Sequence, residues 1–218
     1  MSTHACFIGN FKHAPNRDAV HFLRYQLWPH IKEALRGQGN NDSECHIYGA
    51  YMDTTMEQLH NPSIGFYMKG RVDDVFSTMA AYGVLLAPLR FGAGVKGKIL
   101  DAISMELPVV TTPIGNEGLS VHLDGGDFPG YVAKTVEEFK QSAVKCLSIS
   151  AQNRWDFPDY KKLEQRLDTE YGNAFISQVN NWIDGKNRIQ HPIKVMLEQN
   201  SQLAHRYLSK YIQLKNEV

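Results

Sequence analysis

The sequence predicts a doubly wound, Rossmann-like α/β domain over residues 4–150, built on a parallel sheet and followed by a C-terminal helical tail. Short apolar runs recur through the first 150 residues. Segments with helical spacing separate these runs, which is the order of elements in a parallel sheet covered by helices on both faces. The strand pattern stops near residue 150, so residues 151–218 are predicted to form a helical extension rather than an independent domain.

Six apolar runs are predicted to be strands. The first, ACFIG, lies near the start of the sequence, and the fourth, GVLLAPL, is almost wholly apolar. A strand with helices on both sides has this composition, because neither of its faces meets water. The six predicted strands are residues 5–9, 45–49, 64–70, 83–89, 107–112 and 131–134.

Apolar residues at spacings of three and four predict the helices. The first is expected to be one long helix that is capped by Asn16 or Asp18 and continues through Leu35. The segment 118–131, rich in glycine and aspartate, is predicted to be a loop. Further helices are predicted over residues 72–82, 96–105 and 136–147 in the domain, and over 159–182 and 192–215 in the tail.

Composition and charge exclude several classes of protein. The formal net charge of the 218 residues is zero, so no long-range field draws the chain to nucleic acid or to an anionic membrane. The sequence contains no apolar run of the ~20 residues that span a bilayer. Its three cysteines, Cys6, Cys45 and Cys146, are far apart, which fits reduced thiols. We therefore expect a cytoplasmic protein with no membrane span and no nucleic-acid partner.

The loop after the fourth strand carries the main functional signal. The stretch RFGAGVKGKIL contains Gly92, Gly94 and Gly97, which allow close approach of the backbone to a ligand. Lys96 and Lys98 lie where the next helix begins, although a helix N-terminus disfavours a cation by ~0.3–1 kcal/mol. Because free N–H groups at such a terminus bind anions, this placement predicts a diphosphate site at the carboxyl end of the sheet.

Two familiar glycine motifs overlap this loop, and neither fits it. GAGVKG (92–97) matches the dinucleotide fingerprint, but that motif follows the first strand of its unit rather than the fourth. The same stretch resembles a P-loop, but Ile99 stands where a P-loop has a Ser or Thr that holds Mg²⁺. A P-loop nucleotide hydrolase and a non-catalytic interaction module that keeps the fold are the alternatives to the interpretation that follows.

Four stretches in order resemble the nucleotide-sugar-binding half of a B-type glycosyltransferase. The closest group is the large retaining family, the glycosyl transferases group 1, which includes relatives of sucrose and glycogen synthases. The resemblance covers roughly residues 5–150. The four stretches are FIGNFKHAPNRDAV (7–20), KGRVDDV (69–75), APLRFGAGVKGKILDAISMELPVVTT (87–112) and GNEGL (115–119).

The resemblance implies a role for each matching residue. Lys96 and Lys98 would hold the donor diphosphate and stabilise the nucleoside diphosphate as it leaves, which makes them the expected catalytic residues. Asp101 stands where the family usually has Glu, and its carboxylate would accept hydrogen bonds from the ribose. The remaining expected contacts are Gly92 and Gly94 at the phosphates, Gly9 and Asn10 on their opposite side, Arg71 beside the base, and Gly115 and Asn116 in the sugar pocket.

Two simpler interpretations of these charges stay open at this point. Lys98 and Asp101 are three residues apart on a predicted helix, so they could form only a surface ion pair, worth ~0.2–0.5 kcal/mol. Arg71 could likewise belong to a solvated cluster with Asp73 or Asp74.

The resemblance also implies the reaction and what is needed to complete it. A hexose would pass from a nucleoside-diphosphate sugar, such as a UDP sugar, to an acceptor with retention of configuration. No cofactor and no metal would be required, since lysines and helix N-termini supply the positive charge. In B-type enzymes an N-terminal domain binds the acceptor, and the resemblance begins at the first strand of the second domain. We therefore expect either an acceptor-binding domain or subunit as a partner, or a chain that binds the donor without turnover.

Overall fold

The computed structural model describes residues 3–94, 96–105, 107–117 and 130–148. The predicted tail, with its helices over 159–182 and 192–215, lies outside the described residues, as does the predicted loop up to residue 129. The division of the chain into residues 4–150 and 151–218 stays a prediction.

The described residues form a sheet of six strands in which every neighbouring pair is parallel. The strand order is β3-β2-β1-β4-β5-β6. This confirms the predicted doubly wound, Rossmann-like α/β fold. The strands are β1 Ala5–Ile8, β2 Cys45–Tyr48, β3 Phe66–Gly70, β4 Val84–Ala87, β5 Val109–Thr111 and β6 Gly130–Val132.

The strand order reverses between β1 and β4, and this reversal locates the binding crevice of the fold. The chain moves outward from β1 through β2 to β3, then returns to place β4 on the other side of β1. The loops that leave β1 and β4 therefore diverge at the carboxyl edge of the sheet. Ligands of doubly wound proteins bind at this edge, at the point where the order changes.

The described residues contain six α-helices, five of which lie between strands and the last of which follows β6. The helices that the sequence predicted after β1, β3, β4 and β6 are all present, with ends that differ by a few residues from the predicted ones. A short helix and a 3₁₀ turn, Pro62–Ile64, between β2 and β3 were not predicted. The helices are α1 Ala14–Phe22, α2 Trp28–Gly37, α3 Thr54–Glu57, α4 Val75–Ala80, α5 Gly97–Ser104 and α6 Val136–Ser148.

The prediction of one long helix capped by Asn16 or Asp18 is wrong at its start and in its middle. Helix α1 begins at Ala14, and Pro15 lies in its first turn, where a fixed φ and a missing N–H suit a helix start. A π-helical turn, Leu23–Leu27, separates α1 from α2. Pro29 follows this turn and lacks the N–H that would continue the α-helical ladder, which accounts for the interruption.

The main core lies between one face of the sheet and the segment from α1 to α2, with α6 packed beside it. The side chains of Phe7, Ile47 and Phe66 project from neighbouring strands into this core and are fully buried. Trp28 is also fully buried, and its indole Nε1 donates to the backbone oxygen of Ile64 at 2.8 Å. These contacts hold the segment from α1 to α2 against β1, β2 and β3. The first turn of α1 therefore lies at the crevice.

Candidate functional site

The loop after β4 packs against the first turn of α1. Gly92 has a φ of 124°, and a Cβ atom there would lie 3.3 Å from Cγ of Pro15. Two residues earlier, the guanidinium of Arg90 forms an ion pair with Asp18, in which Nε donates to Oδ2 at 2.8 Å. The two walls of the crevice, one from β1 and one from β4, are therefore in contact at its entrance.

Lys98 lies in the first turn of α5 and directs its side chain across the crevice. Its Nζ atom donates to Oδ1 of Asn16 at 2.5 Å and lies 4.2 Å from the centroid of the Phe7 ring. Burial, together with the nearby charge of Lys96, lowers the pKa of Lys98 to about 7. The ammonium group thus points into the sheet's carboxyl edge rather than into bulk solvent.

Lys96 occupies the position immediately before α5 and is also turned inward. Its side chain is only 11% exposed, its Nζ donates to the backbone oxygen of Gly94, and Glu117 Oε2 lies 3.7 Å away. Burial lowers the pKa of Lys96, and the carboxylate of Glu117 partly opposes this effect. The charge of Lys96 also disfavours the protonated form of Lys98, and an anion between the two amines would offset this effect.

The start of α5 adds a partial positive charge to this pair. Lys96 is the N-cap residue, and its side chain makes no capping hydrogen bond to the helix. The first N–H groups of an α-helix have no intrahelical acceptor, and they bind anions readily. The structure thus brings together, at the crevice, the helix N-terminus and both lysines that the sequence singled out.

Gly9 and Asn10 lie on the opposite wall, and their contacts are local. The backbone oxygen of Asn10 accepts from Asn16 Nδ2 at 2.8 Å, while its side-chain Oδ1 accepts from the N–H of Lys12 at 2.9 Å. A Cβ atom on Gly9 would lie 2.9 Å from Cγ of Asn16, so glycine leaves room for that side chain. Gly9 and Asn10 therefore contact Asn16, which in turn contacts Lys98; the sequence did not mark Asn16 as a site residue.

Gly115 and Asn116 lie in the turn after β5, next to α5. A Cβ atom on Gly115 would lie 1.8 Å from Oγ1 of Thr111 and 3.4 Å from Cδ1 of Ile99, so the turn packs directly onto strand and helix. The Asn116 side chain has a buried Oδ1 atom that meets no hydrogen-bond donor among the described residues. The turn therefore offers one hydrogen-bond acceptor beside the crevice wall formed by α5.

Asp101 lies on the helix that begins at the crevice, whereas Arg71 lies beyond the edge strand of the sheet. Asp101 is partly buried on α5, about one turn beyond Lys98. Arg71 is exposed after β3, and β3 is the edge strand, separated from β1 by β2. The nearby Asp74 caps α4, accepting from the N–H groups of Phe76 and Ser77. Asp101 therefore shares α5 with Lys98, whereas Arg71 follows a strand that β2 separates from β1.

The position at which a P-loop has a hydroxyl residue is occupied by a buried isoleucine in this protein. Ile99 stands where that motif has a hydroxyl residue, and its side chain is fully buried. A side chain that packs in the interior presents no oxygen to a metal ion, so the geometry does not favour a P-loop hydrolase.

Comparison with known proteins identifies the family. Residues 2–149, more than half of the chain, match the sequence model of the family described as glycosyl transferases group 1. The chain belongs to this family. The resemblance to B-type glycosyltransferases found in the sequence is thereby confirmed. No curated protein matches the sequence of this group 1 family member significantly.

Solved structures of glycosyltransferases share its fold. TarM of S. aureus is 14% identical, with a TM-score of 0.59 over 84% of this chain and 35% of its own. A UDP-forming α,α-trehalose-phosphate synthase from Burkholderia xenovorans is 8% identical, with a TM-score of 0.60 over 83% of this chain and 44% of its own. WaaG is 21% identical, with a TM-score of 0.50 over 70% of this chain and 40% of its own. The group 1 chain therefore spans less than half of each of these proteins.

The described part of the chain contains neither a helix that could span a membrane nor a cluster of metal ligands. None of the helices found there is both long and apolar enough to cross a membrane. Across the same residues, no group of three or more His, Cys, Asp or Glu side chains is arranged to hold a metal ion. That the reaction needs no metal or cofactor stays a prediction.

Proposed function

We propose that the chain is the donor-binding part of a glycosyltransferase that transfers a hexose from a nucleoside-diphosphate sugar, with retention of configuration. One observation carries this proposal: Lys96 and Lys98 are both turned into the crevice at the start of α5, close enough for the charge of Lys96 to disfavour that of Lys98. A diphosphate between them would replace this repulsion with two charge-assisted hydrogen bonds.

The same arrangement suits the chemistry of sugar transfer. When the glycosidic bond breaks, negative charge develops on the leaving nucleoside diphosphate. Cations and N–H groups that are already in place stabilise this charge without reorganising. In the protein without ligand, the pKa of Lys98 is about 7. A bound diphosphate is expected to raise this pKa, because its negative charge stabilises the protonated amine. Lys96 and Lys98 are accordingly the proposed catalytic residues.

The other binding roles are part of the proposal. Gly92 and Gly94 would pass close to the phosphates, Asp101 would accept from the ribose, and Gly115 with Asn116 would border the sugar. The buried Oδ1 of Asn116, which has no donor among the described residues, supports a contact with a sugar hydroxyl.

Gly9, Asn10 and Arg71 complete the proposed contacts with the donor. Gly9 and Asn10 would border the diphosphate from the β1 side, although the Asn10 side chain is engaged in a local turn. The placement of Arg71 beside the base rests on the sequence resemblance alone.

Acceptor binding is assigned to a second domain or subunit. This part of the proposal is supported by the structural relatives, each of which is more than twice as long as the portion that the chain covers. UDP is the first nucleotide to test, because the TarM structure contains UDP and the trehalose-phosphate synthase is described as UDP-forming.

Titration calorimetry of the full chain with UDP, GDP, UMP and GMP tests the proposal. We expect one of the two diphosphates to bind, and its monophosphate counterpart to bind at least ~10-fold more weakly, since losing one charged phosphate contact costs at least ~1.4 kcal/mol. If neither diphosphate binds at millimolar concentration, the donor-binding function is wrong. In that case a stable partner complex that requires residues 186–218 would favour a non-catalytic interaction module instead.

A further inference from the structure

We infer that Asn16 is a positioning residue: its side-chain amide holds the Lys98 ammonium group at the crevice and ties it to the loop after β1. The inference rests on the proposed function, because it assigns Asn16 a role in preparing the diphosphate site. It comes from a contact between two residues 82 positions apart in the sequence.

Both ends of the Asn16 amide are engaged. Oδ1 accepts from Lys98 Nζ at 2.5 Å, and Nδ2 donates to the backbone oxygen of Asn10 at 2.8 Å. An ammonium group can only donate, and a carbonyl oxygen can only accept, so these two partners fix the orientation of the amide. The side chain therefore forms a bridge from the β1 loop to the first turn of α5.

The surrounding backbone is adapted to this bridge. Gly9 has no Cβ, and a Cβ atom there would come within 2.9 Å of Cγ of Asn16. Neighbours of Asn16 in the same turn contact the β4 loop, Pro15 at Gly92 and Asp18 at Arg90. The first turn of α1 thus fixes the relative position of both crevice walls before any ligand arrives, and Asn16 is the member that reaches the cation.

The neutrality of Asn16 is what suits it to this role. The amide satisfies one donor of Lys98 without cancelling its charge, and the ring of Phe7 provides a second uncharged contact. An aspartate of the same size would form an ion pair with Lys98. That carboxylate would stabilise the protonated amine in the free protein and compete with the diphosphate for it.

Three variants of the full chain test this role. Asn16→Asp preserves the size of the side chain, Asn16→Ala removes the bridge, and Asn61→Ala serves as the matched control. Asn61 also uses its side chain in a local turn, accepting from the N–H of Ser63, but it precedes β3 at the opposite edge of the sheet. UDP affinity is measured by calorimetry between about pH 6 and 9, and thermal unfolding verifies that each variant is folded.

The pH profile separates positioning from a structural role. Since UDP binds the protonated amine, wild-type affinity should fall as pH rises above the free pKa of Lys98, about 7. In Asn16→Asp this fall should begin at least about one pH unit higher, because the carboxylate holds the proton, while the affinity at pH 6.5 drops about 10-fold or more. Asn16→Ala should bind at least about 5-fold more weakly at neutral pH, through loss of preorganisation. Asn61→Ala should match the wild type.

An Asn16→Asp profile and affinity that coincide with the wild type would overturn the inference. If wild-type protein binds no nucleoside diphosphate, the proposed function fails but the positioning contact is still tested. NMR titration of labelled Lys98 should then show a higher midpoint in Asn16→Asp than in the wild type, and equal midpoints would overturn the inference on its own.

Discussion

The double variant Lys96→Glu/Lys98→Glu is expected to lose UDP binding, with Kd raised by at least ~10²-fold. Charge-assisted hydrogen bonds each contribute ~1.5–3 kcal/mol, so losing two of them removes ~3–6 kcal/mol before any repulsion between the new carboxylates and the phosphates is counted. Both side chains point into the crevice, Lys96 with only 11% of its side chain exposed. Calorimetry measures the loss of binding.

A charge-matched control separates this effect from a change in net charge. Arg36→Glu/Lys145→Glu alters the formal charge by the same amount at two exposed positions, near the C-terminal ends of α2 and α6. We expect its UDP affinity to stay within ~2-fold of the wild type, because exposed charges outside the site contribute little. A folded Lys96→Glu/Lys98→Glu protein that binds UDP as the control does would contradict the placement of the diphosphate.

Gly115→Ala is expected to destabilise the domain strongly. The added Cβ would lie 1.8 Å from Oγ1 of Thr111. That hydroxyl is buried and donates to the backbone oxygen of Ala87 at 2.8 Å, so turning it away would break a link between β5 and β4. Overpacking of this kind costs ~1–3 kcal/mol, which lowers Tm by at least ~2 °C in a chain of this length. Thermal unfolding followed by circular dichroism measures the change.

Two further variants test the cause of that loss. Thr111→Ala removes the clashing hydroxyl, so the double variant Gly115→Ala/Thr111→Ala should be less destabilised than the sum of the two single changes. Gly97→Ala is the control, because a Cβ at this first position of α5 meets no atom within 4 Å. It should leave Tm unchanged or raise it slightly, as alanine favours helices over glycine. If Gly115→Ala is as stable as Gly97→Ala, the turn after β5 does not pack as described.

The fold was largely predictable because the strands at the centre of the sheet are buried on both faces. All four residues of β1 and of β4 are buried, so their sequences read as unbroken apolar runs. Helix α3 was not predicted, because a helix of four residues is too short to show the periodic spacing of apolar residues. Pro29 signals the π-helical turn before α2 in the sequence. The prediction still gave one long helix, because apolar residues keep helical spacing on both sides of this proline.

The candidate site was only partly predictable, for a different reason. Lys96 and Lys98 could be found because glycines and a helix start surround them in the sequence. Asn16 could not, since its contact with Lys98 exists only after β1 and β4 have become neighbours. Gly115 was predicted to border the sugar, whereas its packing against Thr111 gives a structural reason for glycine that the sequence did not reveal.

NMR titration of the Lys98 side chain tests the central claim most directly. With labelled lysine, and the signal assigned through Lys98→Arg, the free protein should show a pKa of about 7 that reflects the buried ammonium group. Saturation with UDP should raise this pKa by at least ~1 unit, because a diphosphate stabilises the charged form, and uridine should leave it unchanged. A Lys98 that titrates near 10.5 in the free protein and does not respond to UDP would contradict the account.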